Sequence, residues 1–376
     1  MRLVFLCAAL LLAPQLFGLP RVALQRVPDG GLQPQVVTDH SGIVHLVYYT
    51  GDASAGDLWY IHSTAGGFTQ PVRVNSVAGA AVATGNIRGP RMAIGRNGRV
   101  YVAWNGSDKT GPAMRAPMLF TRLNDAGTAF EPERNLIHQA WVIDGGGGIA
   151  ADRDGRVYVF WHAPLPGTEG EENRRVWMAR SDDDGLTFAA ERVVGGNAVG
   201  ACGCCSLNAA TDAQGDVYVL FRGAHGGVHR DMNLLVSRDH GETFSASDIS
   251  KWDVGYCVMS SEAFAQARTG VIAAWETEKQ IHFAPVTPAS GVAGDWTPAP
   301  DNTANRKYPT LAVNPAGEIL LAWTEGMGWK KGGSLHWQLF RSNGAPDGPQ
   351  GQAPGVPAWS LVAAYARPDG GFTIVY

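Results

Sequence analysis

The chain has 376 residues, a formal net charge of −4 and only 17% charged residues, and no run of Lys or Arg exceeds two. It offers no electrostatic field for a phosphate backbone, so nucleic acid is excluded as a partner class. Glycine is abundant at 48 residues and no stretch keeps a helical apolar period, which excludes a helix-rich body and indicates many tight turns.

The first predicted element is a leader. Residues Leu3 to Ala13 are apolar behind Arg2 and are followed by Pro14 and small residues up to Gly18. The stretch is too short to span a bilayer and reads as a signal peptide over residues 1–18 that removes Cys7. Residues 19–376 are then expected as a single secreted or periplasmic domain with no membrane span.

From about residue 34 one pattern recurs: an apolar lead-in, a polar turn holding a glycine, then a β-branched and aromatic run. Met92-Ala93-Ile94-Gly95-Arg96-Asn97-Gly98-Arg99-Val100-Tyr101-Val102-Ala103-Trp104 is one copy. The turn glycines are Gly42, Gly98, Gly155, Gly215, Gly270, Gly317 and Gly371, spaced by 56, 57, 60, 55, 47 and 54 residues. Each copy predicts a β-hairpin. One unit of this size cannot bury its own apolar face, so the copies must pack on one another, and an all-β propeller is the expected class. Seven hairpins predict seven blades, with Arg21–Gln25 returning as the outer strand of the last. Six blades are the alternative if the final hairpin is an extra strand pair.

Third strands such as Val176-Trp177-Met178-Ala179 and Leu234-Leu235-Val236 lead into a sharper motif. It reads Ser181-Asp182-Asp183-Asp184-Gly185-Leu186-Thr187-Phe188 and again Ser237-Arg238-Asp239-His240-Gly241-Glu242-Thr243-Phe244, with a worn copy from Leu123 to Phe130. Short oxygen-bearing side chains bond the backbone of their own turn, glycine takes the positive φ, and the aromatic tucks between sheets. The motif resembles the Asp-box, or bacterial neuraminidase repeat, of the sialidase superfamily. In that family the boxes lie opposite the active site, so the resemblance assigns Ser181, Asp183, Gly185, Phe188, Ser237, Asp239, Gly241 and Phe244 a structural role.

Propeller topology places the loops into each first strand, and those between second and third strands, on the face opposite the boxes. The resemblance implies a carboxylate clamp of three arginines on that upper face, for which Arg91, Arg222 and Arg306 stand on separate blades. It also implies Tyr308 as nucleophile, Glu262 as its base and Asp144 as the acid of a sialidase-type glycosidase, with Trp141 stacking on a sugar ring. The family's Tyr/Phe-Arg-Ile-Pro signature has no match. The alternative for the arginines is pairing with Asp and Glu at blade junctions. The ligand expected, in the central funnel of the upper face, is a carbohydrate or small anion, and no cofactor is expected. A non-catalytic propeller gripping a glycan or a protein is the alternative function.

Of the five cysteines, Cys202, Cys204 and Cys205 fall in one inbound loop and Cys257 in the next. An even count in a secreted chain predicts disulfides, Cys202–Cys205 and Cys204–Cys257. The alternative is a copper(I) or zinc site of these four thiolates near His225, His229 and Met259. The Cys-x-Cys-Cys loop with the later Arg230-Asp231 resembles a group of secreted sialidase-like proteins. Gly145–Gly148 has no downstream Lys or helix for a phosphate cradle and is expected as backbone close to the axis.

Overall fold

The computed structural model describes residues 21–107, 115–196, 200–268, 270–287, 291–292, 296–301 and 305–376. The leader expected over residues 1–18, with Cys7, lies outside the described residues. Among the described residues no helix is long and apolar enough to cross a membrane.

Seven antiparallel sheets follow one another along the chain, and each of the first six is a four-position meander from the axis outward. Blade 2 shows the plan with strands Arg91–Ile94, Val100–Asn105, Met118–Arg122 and Arg134–Asn135. In blade 4 the first position is broken into Gly200–Ala201 and Leu207–Thr211, both paired with Val217–Ala224, and the Cys202–Ser206 segment interrupts them. Among the described residues blade 7 has three strands. Val22–Gln25 lies outside Phe372–Val375 as expected, and it runs parallel to it.

The second strand of a blade is buried on both sides, and its alternation explains why the sequence is continuously apolar there. Val100, Val102 and Trp104 turn toward blade 1, while Tyr101 and Ala103 turn toward blade 3. Val157, Val159 and Trp161 face blade 2, while Tyr158 and Phe160 face blade 4. Trp104, Trp161, Trp275 and Trp323 recur at this one position and are all fully buried, so each is an inter-blade wedge. A last cluster of Val27, Leu46, Tyr48, Ile61 and Val375 joins blade 7 to blade 1 and closes the ring. Seven blades are therefore present, and the six-blade alternative fails because the final hairpin packs as a blade of its own.

The Asp-boxes form as their composition dictates. Ser181 donates to Asp183 Oδ1 at 2.8 Å, and Asp183 accepts from the Thr187 backbone at 2.8 Å and from its hydroxyl at 2.6 Å. The same three bonds recur from Ser237 and Thr243 to Asp239 at 2.7, 2.9 and 2.6 Å. Gly185 has φ +75°, and a Cβ there would meet Phe120 at 2.9 Å. Phe188 sits edge-on to Phe120 at 4.7 Å, and Phe244 edge-on to Phe160 at 6.2 Å, so each box docks on the preceding blade.

These bonds make the two box carboxylates pH sensors of stability. For Asp183, burial pushes the carboxyl up, but the Thr187 and Ser181 bonds outweigh it and bring it to about 2; for Asp239 the Thr243 bonds lead, with the same result. A carboxyl lower in the folded than the unfolded state stabilises above its unfolded value, and that stability disappears as pH falls from about 4 toward 2. Discounted for solvent screening, each contributes about 1 kcal/mol. Thermal melts of Asp183→Asn/Asp239→Asn should show a lower Tm at pH 6 and a shallower decline between pH 5 and 2 than the parent chain.

Candidate functional site

On the upper face the inbound loops of blades 2 to 5 pack backbone against backbone. A Cβ on Gly145 would lie 1.7 Å from the Cys205 carbonyl oxygen, and one on Gly146 would lie 1.7 Å from that of Ile87. The glycine run is therefore the close approach its composition predicts. Ser206 N–H donates to Ser260 O at 3.1 Å and Leu207 N–H to Gly146 O at 3.2 Å, stitching three inbound loops together. Gln33 bridges blades 7, 1 and 2, accepting from Gly89 N–H at 2.7 Å and donating to Trp359 O at 2.8 Å.

Around this seam lies a ring of buried charge. Glu262 is 2% exposed and accepts from the Ser206 hydroxyl at 3.2 Å. Burial, with Cys205 adding to it, holds its carboxyl well above the ordinary range despite Arg222 and Arg91. Arg91 Nη2 and Glu262 Oε1 are buried without a hydrogen-bond partner among the described residues. Arg222 donates to Ser260 Oγ at 3.0 Å, to Arg230 O at 2.6 Å and to Glu276 O, and it lies over the Trp252 ring at 5.0 Å. Arg306 donates to Glu325 at 3.0 Å and to Pro300 O at 2.7 Å, over the Trp323 ring.

The three predicted clamp arginines thus divide. Arg91 and Arg222 share the surroundings of Glu262, whereas Arg306 is anchored beside Glu325. Arg222 and Arg306 are bonded mainly to protein carbonyls, a use that upper-face topology alone does not reveal.

Tyr308 is buried and stands at φ +54°, where a register shift between Lys307 and Thr310 interrupts the first strand of blade 6. Burial raises its phenol, and the Glu276 carboxylate raises it further. Glu276, which the sequence reading did not select as a site residue, is the carboxylate most strongly coupled to Tyr308. It is 1% exposed, its own acidity is weakened by burial against Lys307 and Arg222, and Lys307 Nζ lies 3.4 Å from both its oxygens. A sequence signal existed. The residue after each repeat-ending aromatic is polar and buried in five blades: Asn105, His162, Arg222, Glu276 and Thr324. His162 Nε2 lies 2.9 Å from Cys205 O and its Nδ1 accepts from Arg174 at 3.2 Å, while burial and then Arg174 lower its basicity to about 4. It is a neutral structural imidazole with its proton on Nε2.

Two of the cavities among the described residues are lined by polar side chains. The larger, about 410 Å³, lies under the hairpin turns of blades 1 and 2 and is lined by His40, His45, His62 and Tyr60 among others. His45 there is tied to Tyr60 at 2.7 Å and to Asp39 at 3.4 Å, so its polar atoms are already partnered. The smaller, about 230 Å³, is on the upper face and is lined by Ser54, Thr84, Arg88, Asn105 and Asp144 over Val82, Ala116 and Ile143. Arg88 donates to both the backbone and the carboxylate of Asp144. Asn105 gives its amide to Gly145 O at 3.0 Å, and its Oδ1 is buried with no partner among the described residues. This second cavity carries the argument, because unmet polar capacity and a charge pair converge on it. Trp141 is half-buried and donates to His138 O at 3.3 Å, with Arg115 5.8 Å above its ring. Trp329 is 58% exposed, and its ring lies 3.9 Å from where a Cβ on Gly85 would stand, on the Arg88 side of the cavity.

One predicted disulfide forms and one does not. Cys204 and Cys257 are bonded, tying the inbound loop of blade 4 to that of blade 5. Cys202 and Cys205 remain buried thiols with their sulfurs 3.3 Å apart. The turn that donates Cys205 N–H to Cys202 O at 3.3 Å sets them side by side. Burial pushes the Cys205 thiol up, but the Cys202 thiol, Arg222 and Ser260 more than offset this and bring it to about 6. Cys202 is correspondingly held above its ordinary value by Cys205 and burial. The sulfurs of Cys202, Cys204 and Cys205 lie within 4.8 Å of one another, but with Cys204 in the disulfide two thiols remain, fewer than a tetrahedral metal site needs. His225 and His229 stack on each other, and His229 pairs with Asp253 at 2.6 Å rather than joining the sulfurs.

No family model matches the chain, and no curated protein matches it by sequence. Solved structures do. The chain is similar in fold to a Hadza microbial sialidase at 14% identity and TM-score 0.52, over 84% of this chain and 69% of that one. It is similar to an α-L-arabinanase of Penicillium chrysogenum complexed with arabinobiose at 12% identity and TM-score 0.53, over 87% and 96%. A third is the α-L-arabinofuranosidase of Fusarium graminearum in complex with an iminosugar inhibitor, at 10% identity and TM-score 0.53, over 86% and 96%. At these identities the likeness is one of fold: the chain is an all-β, seven-bladed propeller of sialidase-like architecture.

Proposed function

We propose that this propeller is a carbohydrate-active protein that seats one hydroxyl-rich sugar unit in the upper-face cavity of about 230 Å³. The observation that carries the reading is the lining of that cavity, where Ser54, Thr84 and the Arg88–Asp144 pair stand opposite the apolar Val82, Ala116 and Ile143. Arg88 and Asp144 add a donor and an acceptor, Val82, Ala116 and Ile143 form an apolar wall, and the exposed Trp329 indole is a stacking surface for a sugar face. Arabinobiose and an iminosugar, the ligands of two structures similar in fold, support a sugar as the ligand class. A neutral sugar fits better than a carboxylated one. Arg222 and Arg306 are bonded to protein acceptors, and Arg88 already holds Asp144.

Titration calorimetry with arabinobiose, 3′-sialyllactose and a panel of neutral disaccharides tests this reading. Trp329→Ala and Arg88→Ala should each weaken the best ligand at least about tenfold, or about 1.4 kcal/mol. Failure of every saccharide to bind at concentrations up to about 10 mM, an affinity below about 2.7 kcal/mol, would reject the site.

Hydrolysis is a second reading, favoured by one observation: a buried Tyr308 held at φ +54° beside a carboxylate, the kind of backbone strain that clusters at reactive sites. In it Tyr308 attacks as nucleophile with Glu276 or Glu262 as base, and Asp144 protonates the leaving oxygen. With a chromogenic aryl arabinofuranoside or sialoside, Tyr308→Phe and Asp144→Asn should each lower kcat/KM by about 100-fold or more. An inactive parent chain that still binds sugar leaves the binding function alone standing.

A further inference from the structure

We infer that Cys202, Cys205, Cys204 and Cys257 form a thiol–disulfide exchange site, in which a buried dithiol and a surface disulfide trade places and an external disulfide of the glutathione class is the oxidant that reaches it at the surface. Independently of any sugar, the inference rests on the order of four sulfurs in space. Cys257 is exposed and Cys204, its disulfide partner, is partly buried. Cys202 Sγ stands 3.5 Å from Cys204 Sγ and 3.3 Å from Cys205 Sγ, and both Cys202 and Cys205 are 1% exposed. A line of sulfurs thus leads from solvent to the apolar cluster of Ala224, Trp252, Val254 and Val258. Each sulfur is within about one van der Waals contact of the next, which is the arrangement that exchange between neighbouring thiols and disulfides requires.

The chemistry balances without an outside reagent. Cys202 gives its proton to the Cys205 thiolate 3.3 Å away, and its sulfur bonds Cys204 Sγ while the Cys204–Cys257 bond breaks; Cys257 leaves as a thiolate and takes up a proton from solvent. Cys205 then bonds Cys202 Sγ as the Cys202–Cys204 bond breaks, and its proton passes to the departing Cys204 sulfur. One disulfide is lost, one is gained and the electron count is unchanged. An external disulfide then oxidises the Cys204/Cys257 dithiol and is itself reduced to two thiols. Before exchange the loops inbound to blades 4 and 5 are covalently joined. After it, bonds such as Val254 N–H to Val228 O at 2.8 Å and Arg230 N–H to Trp252 O at 2.7 Å hold the blade 5 loop.

The test is disulfide mapping of the full chain equilibrated in reduced and oxidised glutathione, acid-quenched, alkylated and digested. The one-disulfide protein should contain both Cys204–Cys257 and Cys202–Cys205 isomers, within about tenfold of each other. Cys205→Ser should trap a Cys202–Cys204 link and leave Cys257 open to alkylation in the native protein. Cys204–Cys257 as the sole linkage of the one-disulfide parent chain would overturn the inference, whether or not the variant folds. So would two disulfides that persist through every buffer without a one-disulfide species, or stoichiometric copper or zinc on four protected thiols.

Discussion

The structure depends on the burial of each blade's second strand on both of its faces. A strand with one wet face needs one neighbour, and a strand with two dry faces needs two, so the arrangement has no end until the last blade meets the first. Trp104 reaches back to blade 1 while Tyr101, one turn of the pleat earlier, reaches forward to blade 3. Closure falls to Val27 and Val375 with Leu46 and Tyr48, and the N-terminal strand is drawn into blade 7 by the same demand. Fully burying a large aromatic at such a position is worth roughly 3–5 kcal/mol against its truncation, so loss of a single wedge removes a large share of a normal folding free energy.

Closure forces the seven inbound loops into a narrow hub. Backbone brought together there must find hydrogen-bond partners in a place that water reaches poorly. The solution is visible in Gln33 and Asn86, whose amides bridge Ser360, Trp359 and Gly89, and in Arg222, which gathers carbonyls from two blades. Arg222 and Arg91 in turn lie among Glu262, Glu276 and the Cys205 sulfur, so the buried charges of the hub are of both signs. A buried ionic group removed alone leaves its partners uncompensated, which makes this hub a unit rather than a set of independent residues.

The period of the hairpins, their turns and the Asp-boxes were legible in the sequence because each is a local rule repeated several times. Ser181, Asp183 and Thr187 satisfy one another within eight residues, and Trp161 recurs at a fixed offset from Gly155. The predicted Cys204–Cys257 link was legible for a similar reason: two consecutive inbound loops of a propeller must be neighbours. The partners of Arg306 were not legible. Topology says that its side chain starts on the upper face, but whether it meets a ligand or the carbonyls of residues 299–301 is decided by loop backbone that carries no periodic signal. Glu276 stands at the same blade position as Arg222, and nothing periodic in the sequence says that the backbone at Tyr308 brings this carboxylate, rather than Glu262, to bear on the phenol.

The same packing narrows the room left on the upper face. Gly145 and Gly146 bring carbonyl and side-chain groups of three blades into contact. Room remains where two conditions meet: a polar end-of-strand residue whose capacity the seam does not use up, and an outward-leaning loop. Asn105 meets the first, since its amide serves the seam through Gly145 while its carbonyl does not. The Arg88–Asp144 pair meets the second, bridging the inbound loops of blades 2 and 3 at the edge of the seam rather than within it. A ligand held there would lie against the Arg88–Asp144 pair at the rim of the hub rather than against the buried charges within it.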